Sequence, residues 1–128
     1  MKSVLIVLTY FVIVFFAGFL IFKINMYHYE KTADSRIAKA MEFQNVNTSE
    51  ENVENSFFNY RTGWSKFVYY NDDPEIRYEY VYDRSENEVD VYGMYKNMSL
   101  DLAKKEAKYP LGSFCFLKNG EIEDFHHE

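Results

Sequence analysis

Three neighbouring carboxylates are the most suggestive polar group in the sequence. They lie in the segment Asn71-Asp72-Asp73-Pro74-Glu75. Carboxylate oxygens are hard ligands of the kind that calcium binds, and paired carboxylates can also serve as the acid and base of a hydrolase. The segment lacks the glycine and the ligand spacing of an EF-hand loop. A turn capped by an Asx side chain, with a proline before the next strand, explains the same residues, and we expect the turn.

Aromatic side chains offer a second kind of site. The chain contains 12 Tyr, 12 Phe and 1 Trp. A row of exposed rings on a sheet can bind a glycan or a peptide, whereas a small sheet needs the same rings to bury area. We expect most rings to form the core and its rim. Trp64, Tyr70 and Tyr82 lie near the ends of predicted strands and are the first candidates for exposed binding aromatics.

The histidines and the cysteine give little support for catalysis. His126 and His127 lie among acidic residues, but adjacent histidines without orienting partners make a weak metal site. Cys115 lies in an apolar stretch, which favours a buried, unreactive thiol. The chain carries no nucleophile motif, phosphate-binding loop or zinc-protease motif. The sequence therefore predicts no enzyme, no catalytic residue, no metal and no cofactor.

Length and charge narrow the class further. A chain of 128 residues forms at most one ordinary domain, and its single cysteine excludes an internal disulfide framework. The net charge of -6 argues against a nucleic acid bound through its phosphates. The charge is unevenly distributed, since residues 4–22 carry none and every acidic residue lies at Glu30 or later.

A single membrane-spanning helix is predicted at the start of the chain. Val4 to Phe22 are 19 residues without a charge, which cover about 28 Å as a helix, close to the hydrocarbon core of a bilayer. Lys2 and Lys23 bracket the segment and can reach the lipid headgroups. A signal peptide has a shorter apolar region that ends in a small-residue cleavage site, whereas Ala17–Gly18 lies inside this one. We expect a retained anchor, with cleavage and secretion as the alternative.

The orientation of this helix is ambiguous from the charges alone. Lys23, Lys31, Arg36 and Lys39 follow the segment, and only Lys2 precedes it. The positive-inside rule would therefore place the C-terminal part in the cytoplasm. Acidic residues are interleaved with those cations, so the count leaves both orientations open.

An amphipathic helix is predicted after the membrane segment. Residues 29–43 contain neither Gly nor Pro, and Ala33, Ile37, Ala40 and Met41 follow helical spacing. We expect this helix to cover the apolar face of a sheet.

The alternation of apolar and polar residues then changes to a period of two. Short turn-like links separate the strands and can join only antiparallel neighbours, which predicts a four-stranded meander. A short helix is predicted near 99–108, and 113–117 forms a fifth short strand or an extended strap. The four predicted strands are Val53–Tyr60, Trp64–Tyr70, Ile76–Asp83 and Glu88–Lys96.

A family resemblance rests on two of these segments. Residues 66–95, KFVYYNDDPEIRYEYVYDRSENEVDVYGMY, resemble the strand–Asp-Asp-Pro–strand centre of the family called domain of unknown function 3139. Residues 108–113, KYPLGS, are similar to that family's segment after the sheet. The resemblance implies a small Gram-positive bacterial protein with one N-terminal hydrophobic helix and a compact α+β region outside the membrane. The family has no assigned activity, so it implies no catalytic residue.

These patterns predict an α+β protein in four parts. They are a transmembrane anchor at 1–24, an amphipathic helix or stalk at 25–44, a sheet domain at 45–118 and a flexible tail at 119–128. The expected function is that of a single-pass, extracytoplasmic binding or scaffold module in the cell membrane. Its expected partners are the lipid bilayer and another membrane protein, a secreted peptide or the cell envelope. The alternatives are a secreted module after signal cleavage and a carboxylate-based envelope hydrolase.

Overall fold

The computed structural model describes residues 1–46, 51–59, 61–95, 103 and 105–127. The chain divides into two compact units, Met1–Lys31 and Thr32–Glu128. Within the described residues the elements are one helix and six strands: α1 Lys2–Gln44, β1 Glu51–Asn59, β2 Gly63–Tyr70, β3 Asp73–Asp83, β4 Glu88–Tyr95, β5 Gly112–Phe116 and β6 Ile122–His127.

The first unit is helical, and its apolar side chains are exposed. Val4 is 70% exposed and Phe22 57% exposed. The one hydroxyl of Thr9 donates to the carbonyl oxygen of Leu5 at 2.8 Å, so the helix satisfies it internally. The helix is long and apolar enough to cross a membrane, and none of its most apolar window is buried in the protein. A signal sequence near the N-terminus passes the same test of length and composition.

The second unit is built on one antiparallel sheet with the strand order β1-β2-β3-β4-β5-β6. Each strand therefore pairs with its neighbour in sequence, as the short predicted links require. The prediction of an antiparallel meander is confirmed. The four predicted strands correspond to β1–β4.

The predicted number of strands is wrong, because the sheet has six strands and not four. β5 extends the sheet beyond β4, and β6 lies where a flexible tail was predicted. Two backbone hydrogen bonds close the turn between β5 and β6: Leu117 N donates to Glu121 O at 2.9 Å, and Gly120 N donates to Leu117 O at 3.0 Å. The ring centroids of Phe114 and Phe125 then lie 4.5 Å apart. This apolar contact holds β6 on the sheet and could not be expected from the acidic sequence of β6.

The predicted short C-terminal helix is also corrected. No helix element other than α1 occurs in the part of the chain that the structure describes. Half of segment 99–108 lies outside the described residues. Within the described half, Ala107 N donates to Ala103 O at 2.8 Å, a single helical turn. Ala103 and Leu111 approach Gly93 so closely that an added Cβ there would lie 3.2 Å and 3.1 Å from their side chains. Gly93 therefore marks a close approach, because its missing side chain makes room for this segment.

The end of α1 covers one face of the sheet. The four predicted apolar positions Ala33, Ile37, Ala40 and Met41 are all buried, which confirms that helical face. The ring of Phe43 meets that of Phe114 at 5.2 Å. Burial of a side chain the size of Ile stabilises the fold by about 1.5–3 kcal/mol. The core beneath this helix consists of sheet residues that share the same face: Ile76, Tyr78, Tyr80, Tyr82, Val89, Val91 and Phe114.

Candidate functional site

The three predicted binding aromatics lie on the covered face of the sheet. Tyr70 is fully buried, and Tyr82 is 2% exposed with its hydroxyl donating to Asn87 Oδ1 at 3.0 Å. Trp64, which pairs with Tyr82 in the β2–β3 register, is half-buried and donates from its indole nitrogen to Ser56 Oγ at 2.9 Å. Tyr70 and Tyr82 are therefore core residues. The prediction that they are exposed is wrong. A residue at the end of a strand is still buried where another segment of the chain packs over it.

Asn87 connects three elements. Its Oδ1 accepts from Arg36 Nε at 3.2 Å and from the Tyr82 hydroxyl at 3.0 Å. Its Nδ2 donates to the carbonyl oxygens of Phe116 at 3.0 Å and Leu117 at 3.1 Å. The residue adopts a left-handed φ of 50°, a conformation that Asn tolerates better than most residues. A residue that the sequence places in a simple turn thus joins α1, β3 and the end of β5.

A buried hydrogen-bond chain ties the end of α1 to the sheet. Tyr80 donates its hydroxyl proton to Gln44 Oε1 at 2.7 Å, and the hydroxyl oxygens of Tyr70 and Tyr80 lie 2.7 Å apart. Gln44 Nε2 donates in turn to Pro110 O at 2.7 Å. Among the described residues no buried side-chain nitrogen or oxygen lacks a hydrogen-bond partner. These hydroxyls therefore serve the packing of the core rather than an open site.

The Asp-Asp segment is held by the chain that precedes β5. Asp72 Oδ2 accepts from Lys108 Nζ at 2.7 Å and also from the Tyr109 hydroxyl. The hydrogen bond from Lys108, together with that from Tyr109, lowers the pKa of Asp72. Asp72 in turn raises the pKa of Lys108 through the same hydrogen bond. The carboxylate of Asp72 is therefore bound as an anion by two donors from a distant part of the sequence.

Asp73 is held by the same part of the chain. Its Oδ2 accepts from the Tyr78 hydroxyl at 2.5 Å and from the Lys108 backbone nitrogen at 3.0 Å. The Tyr109 backbone nitrogen donates to the Tyr78 hydroxyl at 3.2 Å. Burial raises the pKa of Tyr78, and the bond to Asp73 raises it further, so this hydroxyl stays protonated as a donor. We call the set Asp72, Asp73, Tyr78, Lys108 and Tyr109 the carboxylate clasp.

The carboxylate clasp favours a structural role over metal binding or hydrolysis. Among the described residues no group of three or more His, Cys, Asp or Glu is arranged to hold a metal ion. Asp72 lies 2.7 Å from the Lys108 ammonium, so its carboxylate is paired with a cation of the same chain. The geometry matches the predicted turn.

The side of the sheet opposite α1, which we call the outer face, carries its own aromatic rings. Phe67, Glu79 and Tyr92 lie opposite one another across β2, β3 and β4. The rings of Phe57 and Phe67 stack with their centroids 5.7 Å apart and 22° between their planes. The guanidinium of Arg77 lies 4.7 Å from the Phe67 ring centroid. Such a cation over a ring stabilises both side chains.

Two further side chains complete the aromatic part of the outer face. Tyr92 is 40% exposed, and Tyr69 is half-buried opposite Arg77 in the register. Glu79 lies between Phe67 and Tyr92, and burial raises its pKa despite the opposing effect of Arg77. This aromatic part of the outer face therefore combines partly exposed rings with the Arg77 cation and the Glu79 carboxylate. Rings of this kind can stack on a flat ligand or pack against a partner chain.

The other half of the outer face is acidic and surrounds the cysteine. Ser113 Oγ donates to Asp90 Oδ1 at 2.6 Å, and burial together with Asp90 raises the pKa of the neighbouring Glu88. Cys115 is half-buried, and burial followed by the charge of Glu88 raises the pKa of its thiol. A thiol held in the protonated form is a poor nucleophile. This environment agrees with an unreactive cysteine, although the side chain is less buried than expected.

The histidines of β6 lie on the surface. His126 Nε2 lies 3.1 Å from Asp124 Oδ2, and both side chains are more than half exposed. The ring of His127 meets the ring of Phe125 edge-on at 6.0 Å. The structure thus gives each histidine a local partner within the strand.

The predicted anchor flanks lie on the exposed helix of the first unit. Lys2, Val4, Phe22 and Lys23 are all exposed there. Lys23 Nζ lies 5.5 Å from the ring centroid of Phe19. The cation at the end of the apolar segment is therefore turned towards that segment.

No protein-family model, curated protein or solved structure matches this chain.

Two sets of contacts could not be predicted from the sequence alone. The carboxylate clasp joins residues 72–73 to residues 108–109, a separation that no local periodicity reveals. Asn87 carries no signal beyond a turn residue. The outer face, in contrast, follows from the sequence, since the alternation along the strands places Glu79 and Tyr92 on the face opposite the apolar one.

Proposed function

We propose that this chain is a single-pass membrane protein whose N-terminal helix anchors an acidic α+β module at the outer face of the membrane, where it binds or scaffolds another component of the envelope. The observation that carries the proposal is the segment of 19 uncharged residues whose side chains lie exposed on a helix. Exposed apolar surface of this extent is unfavourable in water and favourable in lipid.

The proposed side of the membrane rests on the family resemblance. The Asp-Asp-Pro and Lys-Tyr-Pro segments that carry it are bonded to each other in the carboxylate clasp, which supports treating them as one motif. The positive-inside rule, applied to Lys and Arg alone, would place this module in the cytoplasm. A labelling experiment separates the two.

The single cysteine makes the orientation directly measurable. In a Cys115→Ser background, a Lys118→Cys variant places one thiol on an exposed residue of the second unit. We expect a membrane-impermeant maleimide to label it in intact cells. A Leu5→Cys variant in the same background, with its thiol inside the apolar segment, should stay unlabelled. Labelling of Lys118→Cys only after lysis would reverse the proposed orientation.

We assign the binding role to the outer face of the sheet. Phe57, Phe67 and Tyr92 present partly exposed rings on this face, and the opposite face is covered by α1. A photo-crosslinking amino acid at Phe57 or Tyr92 should form one reproducible adduct in intact cells, while the same group at exposed Ser35 should not. Equal adducts at all three positions would contradict a binding role for this face.

The secreted alternative makes a different prediction. If the helix were a signal peptide, the mature chain would begin after it and would be recovered shortened from the medium. We expect the cell-associated chain to keep its N-terminal helix. Intact mass measurement of the protein from cells and from medium distinguishes the two.

A further inference from the structure

One face of the first unit carries two lysines and two rings in strict alternation. Phe19, Lys23, Tyr27 and Lys31 are spaced by four residues, so they lie one above another on the helix. Lys23 Nζ lies 5.5 Å from the Phe19 ring centroid, and Lys31 Nζ lies 5.3 Å from the Tyr27 ring centroid. We call these four residues the lysine–ring ladder.

Neither ammonium group of the lysine–ring ladder is neutralised within the part of the chain that the structure describes. Glu30 and Asp34 are the nearest acidic residues in sequence, and neither forms an ion pair with Lys23 or Lys31. Each ammonium has a ring on one side and is open on the other. The Tyr27 side chain, which is 54% exposed, adds a phenol hydroxyl between the two cations.

The position of the ladder matches the headgroup layer of a bilayer. If Val4 to Phe22 fill the hydrocarbon core, Lys23 lies at its edge. The Cα of Lys31 lies about 12 Å further along the axis, at about 1.5 Å per residue. Helical side chains lean towards the N-terminus, and each lysine here lies over the ring one turn earlier, which moves its charge back towards the lipid. Because both lysines lean back by the same single turn, their ammonium groups stay about 12 Å apart along the axis. The two charges therefore bracket the headgroup layer, with Lys23 at its inner edge and Lys31 on its outer side.

We propose that the lysine–ring ladder is a binding site for the phosphate groups of anionic phospholipids. The charge complementarity is direct, since two uncompensated cations and a phenol donor face the layer in which phosphate oxygens are concentrated. The rings hold the ammonium groups in place and leave their remaining N–H groups for the ligand. The inference rests on the proposed membrane anchor and adds to it a preference for one class of lipid.

The test uses the full chain in vesicles. The protein is reconstituted into phosphatidylcholine vesicles and into vesicles in which part of this lipid is replaced by phosphatidylglycerol. Spin-labelled phosphatidylglycerol and phosphatidylcholine report how much of each lipid is immobilised at the protein. We expect the protein to immobilise phosphatidylglycerol preferentially, and the Lys23→Gln/Lys31→Gln variant to lose about fivefold of the preference for each lysine, the effect of about 1 kcal/mol per basic residue at an anionic surface.

A matched variant controls for the loss of charge alone. Lys105→Gln/Lys118→Gln removes the same charge from exposed lysines of the second unit and should keep the preference. A Tyr27→Leu variant, which removes one ring and its hydroxyl, should weaken the preference without changing the net charge. Equal preference in the wild type and the Lys23→Gln/Lys31→Gln variant would overturn the proposal.

Three outcomes distinguish the source of the phosphate group and show which part of the proposal fails. If the wild type binds inorganic phosphate in detergent micelles more tightly than the Lys23→Gln/Lys31→Gln variant, but the two proteins show the same lipid preference in vesicles, the site binds free phosphate and the lipid assignment is wrong. If the protein floats with pure phosphatidylcholine vesicles but shows no lipid preference, the anchor stands and the ladder fails. If it floats with neither kind of vesicle, the anchor itself is contradicted.

Discussion

Single side chains with several partners hold the second unit together. Asn87 satisfies groups from α1, β3 and β5 through one amide, and it does so in a left-handed conformation. Asp72 and Asp73 accept hydrogen bonds from Lys108 and its neighbours, more than 30 residues away in sequence. Because each of these side chains bonds several groups at once, removal of one leaves more than one hydrogen bond unmade.

The first prediction concerns Asn87. An Asn87→Gly variant keeps the left-handed φ without strain but loses all four hydrogen bonds of the amide. We expect the free energy of unfolding to fall by about 2–3 kcal/mol, measured by urea unfolding in detergent micelles with Trp64 fluorescence. Asn45→Gly is the matched control, because Asn45 has a similar φ of 57° at the exposed end of α1. Equal effects at both positions would contradict the role of the Asn87 side chain.

The second prediction concerns the pH dependence of the carboxylate clasp. The folded-state pKa of Asp72 lies below its ordinary value of 3.8. Its contribution to stability is therefore fully present above that value and is lost as the pH falls through the lower folded-state pKa. Asp72→Asn should be less stable than the wild type at neutral pH, and the two should converge in acid.

Glu79 supplies the opposite sign as a control. Burial raises its folded-state pKa above 4.5, so the ionised side chain opposes folding at neutral pH. Glu79→Gln should therefore be more stable than the wild type at neutral pH, and that advantage should shrink as the pH falls through the raised folded-state pKa and be gone below 4.5. Urea unfolding measured across the pH range gives both curves. Parallel curves for the wild type and Asp72→Asn would contradict the clasp.

For single residues, the sequence predicts the type of local structure better than the burial of a side chain or its distant partners. The Asp-Asp segment was correctly interpreted as a turn, yet the donors that bind it lie across the sheet. Tyr70 and Tyr82 were expected to be exposed because they end strands, but Tyr70 meets the Tyr109 ring at 5.0 Å and Tyr82 lies beside Asn87. Single-sequence patterns place a ring on a face of a strand and do not say which other segment lies over it.

At the element scale, local periodicity decided which parts of the fold were predictable. The apolar stripe of α1 and the central strands have strong periods of 3.6 and 2, and both were found. β5 and β6 are short, and β6 is acidic and rich in His, so their local signals are weak. β6 pairs through contacts made far away in the sequence, since Phe125 meets both Phe43 and Phe114.

The third prediction tests whether β6 belongs to the core. Phe125→Ala removes the ring contacts with Phe43 and Phe114, whose ring centroids lie 5.2 Å and 4.5 Å from that of Phe125. We expect a loss of about 1–2 kcal/mol in the free energy of unfolding, less than for a fully buried Phe because Phe125 is half-buried. Hydrogen exchange of the β5 and β6 amides should rise in the variant. An unchanged unfolding curve and unchanged exchange would restore the description of 119–128 as a flexible tail.

At the scale of the whole molecule, charge and hydrophobicity are separated along the chain. Residues 45–128 contain 17 acidic and 9 basic residues, and residues 4–22 contain neither. Such a distribution is poorly suited to a freely soluble chain, because the exposed apolar helix would associate in water. It suits a chain with one part in lipid and one part in water, which the composition alone predicts.

Alkaline carbonate extraction of membranes, with the intact mass of the recovered chain, tests the central claim most directly. High pH strips proteins that are held by charge and leaves those whose apolar segments lie in the hydrocarbon core. We expect the 15.3 kDa chain, with its N-terminal helix, in the membrane pellet. Recovery of that same full-length chain in the soluble fraction would contradict it.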